Sequence, residues 1–137
     1  RKRRMSSLIN SWQQTYGGTN LDSLSFARSL VEVIEDKKGE NILLLDISGL
    51  SIFTDYFVIA NGGSDRQLKA LADAVSEAGE HLAKRHTLLR RIDEQAESGW
   101  VLIDLGDVVV HVFSAEQRKR YNLEGLWKEG KILLRVQ

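Results

Sequence analysis

The chain has 137 residues and a mass of 15.5 kDa, with 42% hydrophobic residues, 28% charged residues and a mean hydropathy of -0.25. A chain of this length buries about 68 to 70% of its unfolded surface around one core, so one ordinary domain is expected, and disordered, collagen-like and lipid-buried architectures are excluded. The absence of cysteine excludes disulfides, thiolate zinc sites and cysteine nucleophiles, and suits a reducing compartment.

The apolar runs are shorter than a spanning helix needs, and no apolar stretch follows the N-terminal basic residues, so a protein neither exported nor membrane-inserted is expected. The formal net charge of zero conceals a split. Residues 1 to 21 carry Arg1, Lys2, Arg3 and Arg4 and no acid, which leaves 15 basic and 19 acidic residues in the remainder, a net of -4. A polyphosphate target asks for a basic face, so the mildly acidic body argues against direct nucleic-acid binding and for a basic protein partner.

Residues 1 to 21 show no sustained period and read as a flexible basic tail, either a solvated arm or an arm touching RNA or a partner. The single folded unit is expected over 22 to 137. Its first helix starts at Asp22 or Ser23: Leu24, Ala27, Val31 and Ile34 recur at helical steps, and Lys37, Lys38 and Gly39 supply cations and a left-handed-tolerant residue at its end. Ile42 to Leu45 is a continuous apolar run suited to a buried strand. Tyr56 to Ala60, aromatic and β-branched and bounded by Asn61-Gly62-Gly63, reads as a second strand.

Ser64 and Gln67 form a capping-box pattern, and Leu68, Leu71, Ala72, Val75, Ala78 and Leu82 carry a second helix to about Arg85. Leu88 to Ile92 is expected as a short strand. Trp100 to Leu105 and Val108 to Phe113 are two strands joined at Gly106-Asp107, a pair suited to a type II′ hairpin turn. Ala115 to Trp127 returns to helical character, and Ile132 to Val136 adds a short last strand. This order implies an α/β (α+β) fold: a mixed sheet with helices packed on it.

The sequence carries little catalytic chemistry. Gly62-Gly63-Ser64 stands between a strand and a helix, where backbone amides hold phosphates in other folds, but neither a P-loop nor a dinucleotide fingerprint is present. Asp104 and Asp107 straddle a turn, whereas two metal-holding carboxylates on a strand need a spacing of two to share a face. His81 and His86 lie roughly 140° apart around their helix, so no metal or cofactor is expected. The alternative is a nucleotide-binding or nucleotidyltransferase-like enzyme using the Gly63-Ser64 helix start and these two aspartates.

The informative stretch is Ile92 to Asp107. It holds Asp93, Glu94, Glu97, Asp104 and Asp107, no Lys or Arg, and Trp100 in its middle. Alternation puts Trp100, Leu102 and Asp104 on one strand face and Val101, Ile103 and Leu105 on the other. A two-residue turn then pairs Trp100 with Phe113, Leu102 with His111 and Asp104 with Val109. The result is a mixed apolar, aromatic and acidic face, the composition of an interface anchor with a rim that asks for a cationic partner. The competing reading is a half-buried Trp covered by the chain itself.

Asp46-Ile-Ser-Gly-Leu-Ser51, Thr54-Asp-Tyr-Phe-Val-Ile-Ala60, Gly63-Ser-Asp-Arg-Gln67, Trp100-Val-Leu-Ile-Asp-Leu-Gly-Asp-Val-Val-Val-His-Val-Phe113 and Arg120-Tyr-Asn-Leu-Glu-Gly-Leu-Trp127 together resemble the ribosomal silencing factor family, also called Iojap-like. The resemblance runs from about Asp22 to about Trp127. One departure is Asp93-Glu94, where members often carry Glu-Gly.

The resemblance implies a non-enzymatic translation repressor that binds the large ribosomal subunit through its fourteenth protein and sterically blocks association with the small subunit. It further implies a nucleotidyltransferase-like fold without the catalytic carboxylates, and a homodimer. Its location is then the bacterial cytoplasm, ribosome-associated, or an organelle stroma or matrix. The partner contact maps to Trp100, Asp104 and Asp107, with Leu102, Val109 and His111 as neighbours. No cofactor, no membrane and no direct sequence-specific nucleic-acid binding are expected.

Overall fold

The computed structural model describes residues 22–82, 90–92 and 99–137; the basic tail, His86 and the acids Asp93, Glu94 and Glu97 lie outside the described residues. The elements run α1 (Ser23–Asp36), β1 (Glu40–Asp46), β2 (Tyr56–Asn61), α2 (Asp65–Leu82), β3 (Arg90–Ile92), β4 (Trp100–Asp104), β5 (Val108–Phe113), α3 (Ala115–Tyr121), α4 (Leu123–Leu126) and β6 (Lys131–Val136). The strands form one sheet in the order β3-β4-β5-β2-β1-β6. Its single parallel pair is β2 with β5, and the other neighbours are antiparallel. The fold is therefore α+β with a mixed sheet, as the element order implies.

Local chemistry accounts for most of these boundaries. The Asp22 carboxylate accepts the Ser25 amide at 2.8 Å and caps α1. Its far end differs from expectation: Lys38, with φ of 69°, takes the left-handed position, and the following Gly39 has no room for a Cβ, which would meet Ile34 Cγ2 at 2.4 Å.

Ser64 Oγ accepts the Gln67 amide at 3.1 Å, one half of the capping box. Gln67 Nε2 donates to the Lys37 carbonyl at 2.8 Å and ties the start of α2 to the end of α1. The C-terminal helical stretch is broken into α3 and α4 at Asn122. With φ of 49°, Asn122 ends the first helix, and its side chain accepts the Gly125 amide to cap the second.

The two sheet faces are covered unequally. On one, α1 and α2 bury Val58, Ala60, Val101, Ile103, Val110 and Val112 completely. On the other lies a smaller cluster of Leu43, Leu45, Ile47, Phe57, Ile59 and Phe113, against which, among the described residues, Trp100, Val109, Leu123 and Trp127 pack as partly buried neighbours. Two short helices cannot roof a six-stranded sheet. The described residues leave the β4 and β5 side of this second face partly open, and strand alternation determines which side chains stand there.

Candidate partner-binding face

The opening is built by the β4–β5 hairpin. Gly106 has φ of 90°, a conformation costly for any residue with a Cβ, and the Leu105 amide donates to the Val108 carbonyl at 2.9 Å across it. This two-residue turn sets the register Trp100 to Phe113, Leu102 to His111 and Asp104 to Val109, the pairing expected from the sequence. Val101, Ile103 and Leu105 are buried beneath the helices. Trp100, Leu102, Asp104 and Val109 are half-buried and Asp107 is exposed. The half-buried state of Trp100 is compatible both with an interface anchor and with a tryptophan covered by the chain itself.

An aromatic stack supports that indole. Its ring lies 5.4 Å from Phe113 and 5.9 Å from His111, both stacked, and 4.9 Å from Tyr121 of α3. Phe57 meets His111 edge-on at 4.8 Å and Trp127 edge-on at 5.4 Å. Trp100 Nε1 donates to His111 Nδ1 at 3.2 Å. The neutral imidazole must then carry its proton on Nε2, which is buried without a hydrogen-bond partner among the described residues. Burial pushes the His111 pKa down to about 3, so the ring stays neutral at any physiological pH. His111 is 4% exposed; it lies beneath the indole and holds it, rather than standing at the surface.

Gly99 fixes where the stack begins. Its φ is 87° and its carbonyl accepts the Ser114 amide at 2.9 Å, while the Ser114 hydroxyl accepts the Gln117 amide and caps α3. The residue before Trp100 and the helix carrying Tyr121 are thereby joined at one point.

The acids at the open end have structural bonds as well. Asp104 Oδ1 accepts the Gly106 amide at 2.9 Å, closing the hairpin turn. The Asp107 carboxylate accepts the Ser23 hydroxyl at 2.8 Å, and its carbonyl accepts the amides of Asp55 and Tyr56, both at 3.0 Å. In the β3–β4 register Arg90 is the Cα partner of Asp104.

The enzyme alternative does not survive this geometry. Tyr56 pairs with Val108 and Asn61 with Phe113, so Gly63-Ser64, past the end of β2, lies beyond one end of the sheet and Asp104 and Asp107 lie at the other. Five residues of strand place them roughly 17 Å apart along the strand direction. The Ser64 hydroxyl is also committed to its own helix. Among the described residues no group of three or more His, Cys, Asp or Glu is placed to hold a metal, and no helix is long and apolar enough to cross a membrane.

Several supporting residues were not legible as such in the sequence. Phe57, Tyr121 and Trp127 buttress the stack from three separate elements, and only their aromatic character hinted at it. Arg118 is the other. It is 9% exposed, its Nε and Nη2 donate to the two oxygens of Glu124 at 3.1 and 3.3 Å, and its Nη1 donates to Asn61 Oδ1 at 2.9 Å and to the Asn41 carbonyl. One guanidinium thus pins α3 to α4 and to the ends of β1 and β2. It also floors a hollow of about 550 Å³, reached by Lys119 and Arg135, at the end of the sheet away from Asp107.

Comparison with known proteins places these features in a family. The family model described as ribosomal silencing factor during starvation matches residues 20–136. The chain is 37% identical over 112 residues to the ribosomal silencing factor RsfS of Bacillus subtilis, covering 82% of this chain and 92% of that protein. It is 31% identical over 98 residues to a mouse protein named mitochondrial assembly of ribosomal large subunit protein 1, covering 72% of this chain and 43% of that one. The crystal structure of a Chromobacterium violaceum protein superposes with a TM-score of 0.71 at 36% identity, covering 79% of this chain and 88% of that chain.

Proposed function

This chain belongs to the ribosomal silencing factor family, and on that premise we propose that it represses translation by occupying the large ribosomal subunit through its fourteenth protein. It is a non-enzymatic ribosome-binding factor that blocks subunit joining. Obstruction needs no turnover: the fraction of large subunits silenced follows the factor's concentration relative to its dissociation constant. Residues 22–137 act as the single functional unit, similar to nucleotidyltransferases but with Asp104 and Asp107 on either side of Gly106 at a hairpin tip rather than in a metal site. Its location is the bacterial cytoplasm or, for organelle counterparts, stroma or matrix. The β6 edge, with Ile132 and Leu134 exposed, is the surface that would carry self-association into a homodimer.

The observation that supports this reading is the half-buried indole of Trp100, stacked on Phe113 and His111 in the uncovered part of the sheet, with Leu102 and Val109 beside it and Asp104 and Asp107 at its margin. Apolar aromatic anchors with charged margins carry most of the energy of protein interfaces, and the margin fits a cationic ribosomal protein. The test is sedimentation of the chain with isolated large and small subunits. The chain should pellet with large subunits alone, and Trp100→Ala should weaken that binding by at least about 2 kcal/mol. Asp107→Lys should slow association at low salt. Unchanged pelleting of Trp100→Ala, with its fold verified by circular dichroism, removes the anchor from the account.

A further inference from the structure

Two neighbouring side chains on the β1–β2 loop stand almost entirely in water: Ile52 is 92% exposed and Phe53 86%, with Leu50 beside them at 46%. This loop is held in place. The Ile47 amide donates to the Asp55 carbonyl at 2.8 Å, and the Leu50 and Ser51 amides donate to the Ile47 carbonyl at 3.0 and 3.1 Å. Ser48 donates its amide and its hydroxyl to the Asp46 carboxylate, and the Phe53 amide donates to Ser51 Oγ at 3.1 Å. Large apolar groups on a backbone fixed in this way have no route to cover themselves, and such exposure marks a contact surface.

The surroundings of the loop say what kind of partner fits. Its C-terminal stem meets the hairpin tip, where the amides of Asp55 and Tyr56 both donate to the Asp107 carbonyl. The tip is therefore continuous with the end of the sheet that carries Asp104 and Asp107. Burial first, and then the carboxylates of Asp46, Asp55 and Asp22, raise the Tyr56 hydroxyl above its usual pKa, with Arg28 alone opposing them. Several carboxylates thus converge at the base of the loop, with Arg28 near Tyr56 and Lys131 across from Asp46 in the β1–β6 register as the cations among the described residues. An anionic lipid surface or an RNA backbone would be repelled by such a base, whereas a cationic protein would be attracted.

We infer that Ile52 and Phe53 form a second apolar anchor, bordered by the acids at this end of the sheet, that docks into the same basic protein of the large subunit as the Trp100 face. The inference rests on the reading given under Proposed function. Two anchors at separate points of one surface would fix the orientation in which the factor sits, and a blocking factor must be oriented as well as bound.

The test is the double variant Ile52→Ser/Phe53→Ser, with Ile52→Val/Phe53→Leu as its conservative counterpart, assayed by pelleting with isolated large subunits beside wild type and Trp100→Ala. Both loop variants should melt like wild type, since neither side chain contributes to the core. The serine variant should bind at least about tenfold more weakly, and the conservative variant should retain wild-type affinity. Wild-type affinity in the serine variant, while Trp100→Ala loses binding, overturns this inference and leaves the first reading standing. A wild-type chain that fails to pellet defeats both. Loss of self-association in light scattering with subunit binding intact would assign the tip to a second copy of the chain and likewise overturn the proposal.

Discussion

Acidification should destabilise this protein through one buried imidazole. Burial lowers the His111 pKa from 6.5 to about 3, and its Nδ1 already accepts the indole N–H of Trp100. A proton added there would set one donor against another inside an aromatic stack. The folded chain therefore keeps the ring neutral while the unfolded chain takes up a proton near pH 6.5, so the contribution to stability is complete above pH 6.5 and is lost progressively as pH falls from 6.5 towards 3. Each pH unit across that window is worth about 1.36 kcal/mol, so the loss between pH 7.5 and pH 5 is about 2 kcal/mol.

Urea denaturation of wild type and His111→Gln at pH 7.5 and pH 5 measures it. The variant should be weaker at pH 7.5, because the indole N–H loses its partner, but it should lose about 2 kcal/mol less on acidification. The carboxylates common to both proteins cancel in that difference, as does the exposed His81. Equal losses in the two proteins would refute the buried, neutral state of His111 and with it the account of how Trp100 is held.

Arg118→Met should cost about 2 to 4 kcal/mol in the same denaturation assay, because it leaves Asn61 Oδ1 and the Asn41 carbonyl without their donor; a loss below about 1 kcal/mol would mean that water replaces the guanidinium. Gly99→Ala should cost about 1 to 3 kcal/mol, since its φ is 87° and the new Cβ would meet Ser114 Oγ and Gln117 Cγ, each at 2.6 Å. Near-UV circular dichroism of that variant should report a disturbed Trp100 environment, and an unaltered spectrum would count against Gly99 as the joint between β4 and α3.

Features that depend on neighbours in the chain could be read directly from the sequence. Asp22 and Ser64 cap their helices, Gly106-Asp107 makes the two-residue turn, and that turn with strand alternation is sufficient to put Trp100, Leu102, Asp104, Val109, His111 and Phe113 on one face. The run from Trp100 to Phe113 also carries the resemblance that family membership later supported. Each of these follows from a periodicity or a short-range hydrogen bond, which is why a linear pattern encodes it.

The rest required distant segments to meet. The parallel pairing of β2 with β5 places Gly63-Ser64 at the opposite end of the sheet from Asp104 and Asp107, a separation no spacing rule contains. The packing of α1 and α2 on the same sheet face, with two short helices for the other among the described residues, decided that the Trp100 side would stay partly open. Long-range pairing and packing also buried His111 beneath the indole, paired Arg90 with Asp104 in the β3–β4 register, and gave Arg118 three partner residues, Asn41, Asn61 and Glu124, drawn from three elements. Sequence determined which side chains share a face; the tertiary structure decided which face was left uncovered, because coverage depends on how much apolar area every other element has available to bury.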